Sequence, residues 1–222
     1  MIIMGVTETT TCFLREEIVT GTILPGTKLN EIELAEKYGV SRPPLREAFR
    51  KLEYEKLVMT IPRKGTYVTD ISIEDCKQLY LTRRVLECGA IDIIAKNNIQ
   101  DFRRLKKYIH DVKAMTISRN AEPIDLMTSF DGVTNFHMLL LETSGNRWLI
   151  HCYQNISATL TRYQHIYFSI PGTRQPSIEN HITILSLLEK TKFQEAKTLL
   201  LEHIDNSFYN LLKTMEKAKV IT

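Results

Sequence analysis

The sequence predicts a mainly helical chain in two parts: residues 1–71, where three helices precede a small β-hairpin, and residues 72–222, built of helices alone. Three observations predict it. Helix start and stop signals crowd the stretch before Leu57, and β-prone runs occur only between Leu57 and Thr69. After Ile71, apolar residues recur at helical rather than alternating spacing.

Taken in order, Phe13, Leu14, Ile18 and Val19 form the apolar face of a first helix, closed by Gly21 and followed by a Pro25-Gly26 turn. Asn30 and Glu33 make a capping box that opens a short helix from Glu31 to Tyr38. Gly39 supplies the left-handed residue that ends it. Val40 leads directly into the next helix. Ser41 can cap that helix by accepting a backbone N–H bond, and Pro43 and Pro44 fill its first turn. Two short helices with so tight a joint read as a helix-turn-helix. Leu57–Ile61 and Thr66–Thr69 flank Pro62-Arg63-Lys64-Gly65, a hairpin with two cations at its tip. Together these elements form a winged helix-turn-helix.

Arg42, Arg46 and Arg50 recur every fourth residue and share one helical face. Alone, that stripe suits a solvated basic face as well as a nucleic-acid contact. Beside a helix-turn-helix and a wing, it reads as a helix entering the DNA major groove, where arginine bonds guanine bidentately and also reaches phosphates. Arg63 and Lys64 on the wing are placed to touch phosphates or the minor groove. The formal net charge is only +3, which argues against a general polyelectrolyte binder. Charge is local instead: Arg42, Arg46, Arg50, Lys51, Lys56, Arg63 and Lys64 outweigh Glu47, Glu53 and Glu55.

Residues 13–68 resemble the GntR family of bacterial transcriptional regulators. The resemblance is carried by Leu24-Pro25-Gly26, Leu34-Ala35-Glu36, Val40-Ser41-Arg42, Leu45-Arg46-Glu47-Ala48 and Gly65-Thr66-Tyr67-Val68. It implies DNA contacts at Arg42, Arg46 and Gly65. With Ser41, Arg50, Arg63 and Lys64, these are the candidate DNA-binding residues. Lys56 stands where the family usually has glycine, and Ile32 at a helix position often basic in relatives.

In the second part, Ser72 and Asp75 start a helical run to about Lys96. Others follow at roughly 101–118, 122–142, 147–168, 175–190 and 192–216. The breaks fall at Asn97-Asn98, at 120–123, at Ser144-Gly145-Asn146, and at Pro171-Gly172 with Pro176. This is an antiparallel bundle of about six helices. On 122–142 the apolar stripe of Met127, Phe130, Val133, Phe136, Leu140 and Leu141 includes His137. On 175–190, Ile178, Ile182, Leu185 and Leu188 include His181. On 192–216, Phe193, Ala196, Leu199, Leu200, Ile204, Leu211 and Met215 include His203. A lone histidine on an apolar face is usually a satisfied core residue. Three such placements point equally well to a shared metal, since an unpartnered buried polar group is costly.

Arg83 and Glu87 lie at i, i+4 along the buried face formed by Cys76, Leu79, Tyr80, Leu86, Ala90 and Ile94. They are either an internal ion pair or a guanidinium facing a cavity to receive a ligand carboxylate; an adjacent metal would favour the second. Asn155, Arg162 and Tyr163 are further candidates for the cavity lining.

Arg83-x-x-Leu86-Glu87, Phe136-His137, Ser144-Gly145-Asn146, His181 and the Ala196-to-His203 spacing resemble the FCD effector-binding domain of FadR-type GntR regulators. That resemblance implies a divalent metal held by His137, His181 and His203, with a small carboxylate effector bound to it. The family's aspartate, four residues before the first histidine, is Val133 here, which cannot coordinate a cation. Asp131 faces elsewhere on a regular helix, and Asn180 stands where relatives often have glutamate. Three imidazoles alone still suit zinc or nickel. The alternative is a metal-free pocket using Arg83 and the histidines directly.

The function expected is a homodimeric repressor that binds a palindromic operator in double-stranded DNA under control of a small carboxylate. Two rivals are a three-histidine metal-dependent hydrolase and a constitutive DNA-architectural protein with a purely structural bundle. Cys12, Cys76, Cys88 and Cys152 lack metal-ligand or CxxC spacing and read as reduced, buried thiols. Met1-Ile2-Ile3-Met4 is no secretory leader and no apolar run is long enough for a membrane helix, so a cytoplasmic protein without membrane association is expected.

Overall fold

A computed structural model describes residues 5–119, 136–168 and 174–217. They form two compact units, one from the residues up to Ile71 together with Asn155–Arg162, the other from Ser72–Gln154 and the residues from Tyr163 onward.

The first unit contains α1 (Val6–Val19), β1 (Lys28–Leu29), α2 (Glu31–Tyr38), α3 (Arg42–Tyr54), β2 (Val58–Ile61) and β3 (Gly65–Val68). It is the winged helix-turn-helix the sequence predicts. Leu14, Ile18 and Val19 of α1 meet Leu45, Ala48, Phe49 and Leu52 of α3 in the core, closed by Leu57, Val58 and Val68. Phe13 stays half exposed, stacked on Tyr38 at 6.3 Å between ring centroids. The α2 cap forms, with a variation: Asn30 accepts from the Ile32 amide at 3.0 Å, and Glu33 bonds the Asn30 side chain. Gly39 ends the helix at φ 63°, so its amide and that of Val40 fold back onto the last turn.

Ser41 differs from expectation. It occupies the N-cap of α3 with extended backbone, yet its hydroxyl makes no capping bond. The donors such a cap uses belong to the second and third helical residues, which are Pro43 and Pro44 and have no N–H. β1 is too short to leave a pattern in the sequence. It pairs antiparallel with β3, giving a three-stranded sheet in the order β1-β3-β2, with Ile61 opposite Gly65 at the tip.

Within this unit the stretch Asn155–Arg162 is held by hydrogen bonds: Thr159 donates to the Glu55 carbonyl at 2.8 Å, and Arg162 to the Thr69 carbonyl at 2.9 Å and the Thr69 hydroxyl at 3.1 Å.

The second unit contains α4 (Ile73–Lys96), α5 (Arg103–Arg119), α6 (Phe136–Thr143), the flanking parts of α7 (Arg147–Phe168), α8 (Arg174–Glu189) and α9 (Phe193–Lys217). The Ser72 hydroxyl accepts from the Asp75 amide at 3.0 Å and starts α4 as expected. α9 packs on α4 and α8, α4 on α6, and α5 on α6 and α8. Met127, Phe130, Asp131 and Val133 lie outside the described residues. Among the four free cysteines only Cys76 and Cys88 are buried, with thiols pushed up by burial to about 12 and about 11. Cys152 is exposed and Cys12 half-buried, so the expectation of four buried thiols fails at both. No helix among the described residues is long and apolar enough to cross a membrane.

Candidate functional site

In the first unit, α3 buries Leu45, Ala48, Phe49 and Leu52 and thereby turns Arg42, Arg46 and Arg50 outward. Arg46 bonds both oxygens of Glu31 at 3.0 and 3.1 Å, and Arg50 bonds Glu47 at 2.5 Å. These pairs are solvent-exposed, so each is worth at most about 1 kcal/mol and can open toward phosphate. Among the described residues Arg42 has no ion-pair partner, and Ser41 beside it keeps its hydroxyl uncommitted.

The wing tip presents Arg63 and Lys64 to solvent. Arg63 is left-handed at φ 63°, and Gly65 at φ 119° is in a region that favours glycine. A Cβ on Gly65 would also lie 3.0 Å from the Lys28 side chain. Gly65 therefore has a structural reason of its own, beside the DNA contact its motif implies. Lys28, on β1 with its ammonium 5.9 Å from the Tyr67 ring, joins this basic edge. Sequence reasoning missed it because a two-residue strand leaves no signal.

In the second unit α6, α8 and α9 each aim one imidazole at a common point. Nε2 of His181 lies 3.2 Å from Nε2 of both His137 and His203. Ligating atoms of all three fall within 4.8 Å of one another. Phe136 stacks on His181 at 4.2 Å, holding the ring in place.

From α4, Arg83 reaches Nε2 of His137 at 2.6 Å with Nη2, while its Nε donates to Glu87 at 2.7 Å. Glu87's other oxygen accepts from Nδ1 of His137 at 2.7 Å. Tyr153 also bonds Glu87, a contribution the sequence had not indicated. Arg83, Glu87 and the three histidines are all buried. Burial holds all three imidazoles well below 6.5, and the nearby Arg83 charge pushes the same way. Burial likewise raises the Glu87 carboxyl, against the pull of Arg83. Burial opposes the charge on the guanidinium most strongly of any single cause, but Glu87 with Tyr153 and Tyr80 together push the other way and keep it charged.

A cavity of about 10 Å³ lies at this cluster, lined by Arg83, the three histidines, Gln164 and Tyr167 among others. That is room for about one water or ion as it stands. The structure brings neither Asn155 nor Tyr163 to it. The Tyr163 hydroxyl is spent on the start of α4, 3.0 Å from the Ser72 carbonyl and 3.0 Å from the Asp75 carboxylate. The helical phase of α7 puts Gln164 and Tyr167 at the cavity instead. Asn155 belongs to the first unit and Arg162 is bonded to Thr69 there.

An exposed arginine-bearing helix with a basic wing, carried on the same chain as a helical unit with a polar cavity, defines a transcriptional regulator that binds DNA. The chain belongs to the GntR family of bacterial regulatory proteins, matched over residues 7–68, with an FCD domain over residues 78–206. It is similar to the HTH-type transcriptional regulator YdhC of Bacillus subtilis, at 26% identity over 93% of this chain and 91% of that one. The HTH-type transcriptional repressor RspR of Escherichia coli is 28% identical over 86% of this chain and 82% of its own. A solved GntR structure from Rhodococcus sp. RHA1 shares the fold with a TM-score of 0.75, at 22% identity and covering 93% of this chain and 97% of that one. Membership of this family makes the chain a regulator and not an enzyme, which sets aside the hydrolase reading.

Proposed function

We propose that the chain is a homodimeric repressor of FadR type whose operator affinity is set by a small carboxylate received in the helical unit. Residues 1–71 bind DNA through Ser41, Arg42, Arg46, Arg50, Arg63, Lys64 and Gly65, and residues 72–222 receive the effector and pair the subunits. Pairing matches a palindromic operator, because one reading helix reaches only a few base pairs. The name of RspR, a repressor, supports the direction of control.

The observation that carries effector control is the gathering of three buried imidazoles and one guanidinium at one cavity. A bundle that had only to be stable would place apolar side chains there, since buried polar groups are costly. Arg83 is suited to a carboxylate, which a guanidinium binds with two parallel hydrogen bonds. The three imidazoles, with two of their Nε2 separations at 3.2 Å and no carboxylate in the group among the described residues, fit zinc or nickel rather than a hard cation. When bound there, such an ion supplies a Lewis-acid position for an anion's oxygen.

The test is operator affinity, by fluorescence anisotropy, on a duplex selected from a random library. Acetate, lactate, malonate and citrate are titrated with and without zinc. One acid is expected to change the dissociation constant about tenfold, and the change to vanish in His181→Ala. If no acid alters affinity under either condition, effector control by this cluster is refuted.

A further inference from the structure

The Nε2 atom of His137 has one lone pair, and Arg83 already holds it. A guanidinium has no acceptor and keeps its protons, so Arg83 Nη2 is the donor across the 2.6 Å contact. The ring proton of His137 is therefore on Nδ1, where it is donated to Glu87 at 2.7 Å. Glu87 in turn accepts from Arg83 Nε at 2.7 Å. These three side chains close a ring of hydrogen bonds in which the one free ligating atom of His137 faces a fixed positive charge. Of the three converging nitrogens, one is thus taken.

We infer that Arg83 gates the cluster: a divalent cation and the guanidinium compete for the Nε2 lone pair of His137, and a carboxylate that draws Arg83 away lets the cation use all three imidazoles. The inference rests on the reading of this cluster as the metal and effector site. A cation alone meets neutral donors beside a buried positive charge, in a place with little water to screen it. A carboxylate alone must break the bond from Arg83 to His137 and leave that nitrogen only the longer 3.2 Å contact with His181 Nε2. Each ligand removes the obstacle to the other. Their affinities rise together, and by the same factor in both directions.

Calorimetric titration of zinc into the full chain, in chloride and in acetate at matched ionic strength, measures this. Zinc is expected to bind about tenfold tighter in acetate, and acetate to bind tighter with zinc by that same factor. The double variant Arg83→Met with Glu87→Gln removes the guanidinium together with its counter-charge and keeps an amide oxygen at position 87 to accept from the Nδ1–H of His137. It should bind zinc about tenfold tighter in chloride alone, with no further gain from acetate. Zinc affinity indifferent to acetate in the natural chain, or unaltered in the double variant, overturns the gate while the metal reading stands. Zinc binding absent from both proteins in every buffer overturns the metal reading itself, and the gate with it. Should the double variant fail to fold, the acetate dependence of the natural chain still decides. Imidazole nitrogen spectra are a second readout: the His137 Nε2 signal should reach its zinc-bound position at about tenfold lower zinc in acetate than in chloride.

Discussion

Thr159 donates its hydroxyl proton to the carbonyl of Glu55 at 2.8 Å, joining positions 104 residues apart in the chain. Glu55 is the residue that closes α3. Carbonyls at the end of a helix have no partner within it, so Thr159 satisfies one of the groups the helix leaves open. Arg15 holds the side chain of the same residue through bonds of 2.6 and 2.7 Å. Thr159→Val keeps the shape and removes the donor. It is expected to destabilise the protein by about 1 kcal/mol in urea unfolding. No loss of stability would show that water replaces the hydroxyl at no cost.

Lys56, one residue further on, has φ 61°. A lysine there carries the steric cost of the left-handed region, about 1–2 kcal/mol, which a glycine avoids while losing about 0.5–1 kcal/mol of chain entropy. This accounts for glycine being usual at the position in the family the sequence resembles. Lys56→Gly should stabilise the protein by about 0.5–1 kcal/mol by the same denaturant measurement. A decrease would mean that the lysine makes up for its backbone.

The exposed arginines on α3 predict how DNA binding divides. Arg42→Ala and Arg46→Ala should each cost about 1–3 kcal/mol of specific operator affinity. Lys64→Ala should weaken all duplexes alike and lower the salt slope by about 1. Glu31→Gln frees Arg46 from its exposed partner and should strengthen binding slightly. Salt-dependent anisotropy separates these outcomes. Equal losses on specific and random duplexes for Arg42→Ala would remove base reading from that residue.

The buried imidazoles make stability depend on pH in a stated direction. In the folded chain His137, His181 and His203 stay neutral well below 6.5, whereas in the unfolded chain they take up protons near that value. Above it both states are neutral and nothing is gained or lost. Below it the unfolded chain binds more protons, so stability falls as pH falls, by up to about 1.4 kcal/mol per pH unit for each imidazole. Unfolding free energies in urea at pH 7.5 and 5.5 should differ accordingly, and His203→Gln should flatten the dependence. An unchanged slope in that variant would place the titration elsewhere.

Much of this architecture was legible because its signals are local. Asn30, Gly39, Ser72 with Asp75, and the Pro62-to-Gly65 tip act on backbone a few residues away, and the elements they announce are present. Helical phase likewise turned His137, His181 and His203 inward. The missing bond from Ser41 was also readable, since Pro43 and Pro44 offer it no donor. Asn155 and Tyr163 failed as cavity residues for a different reason: phase tells which side of α7 is buried, but not what it is buried against.

By itself the sequence determined the order of the elements, the outward arginines and the inward histidines, because periodicity and capping are short-range effects. Only the tertiary structure decided that Arg83 meets His137 from 54 residues away, that Tyr153 joins Glu87, and that Thr159 closes α3. Those contacts depend on how whole helices pack, and packing is settled by the sum of many side chains rather than by any motif.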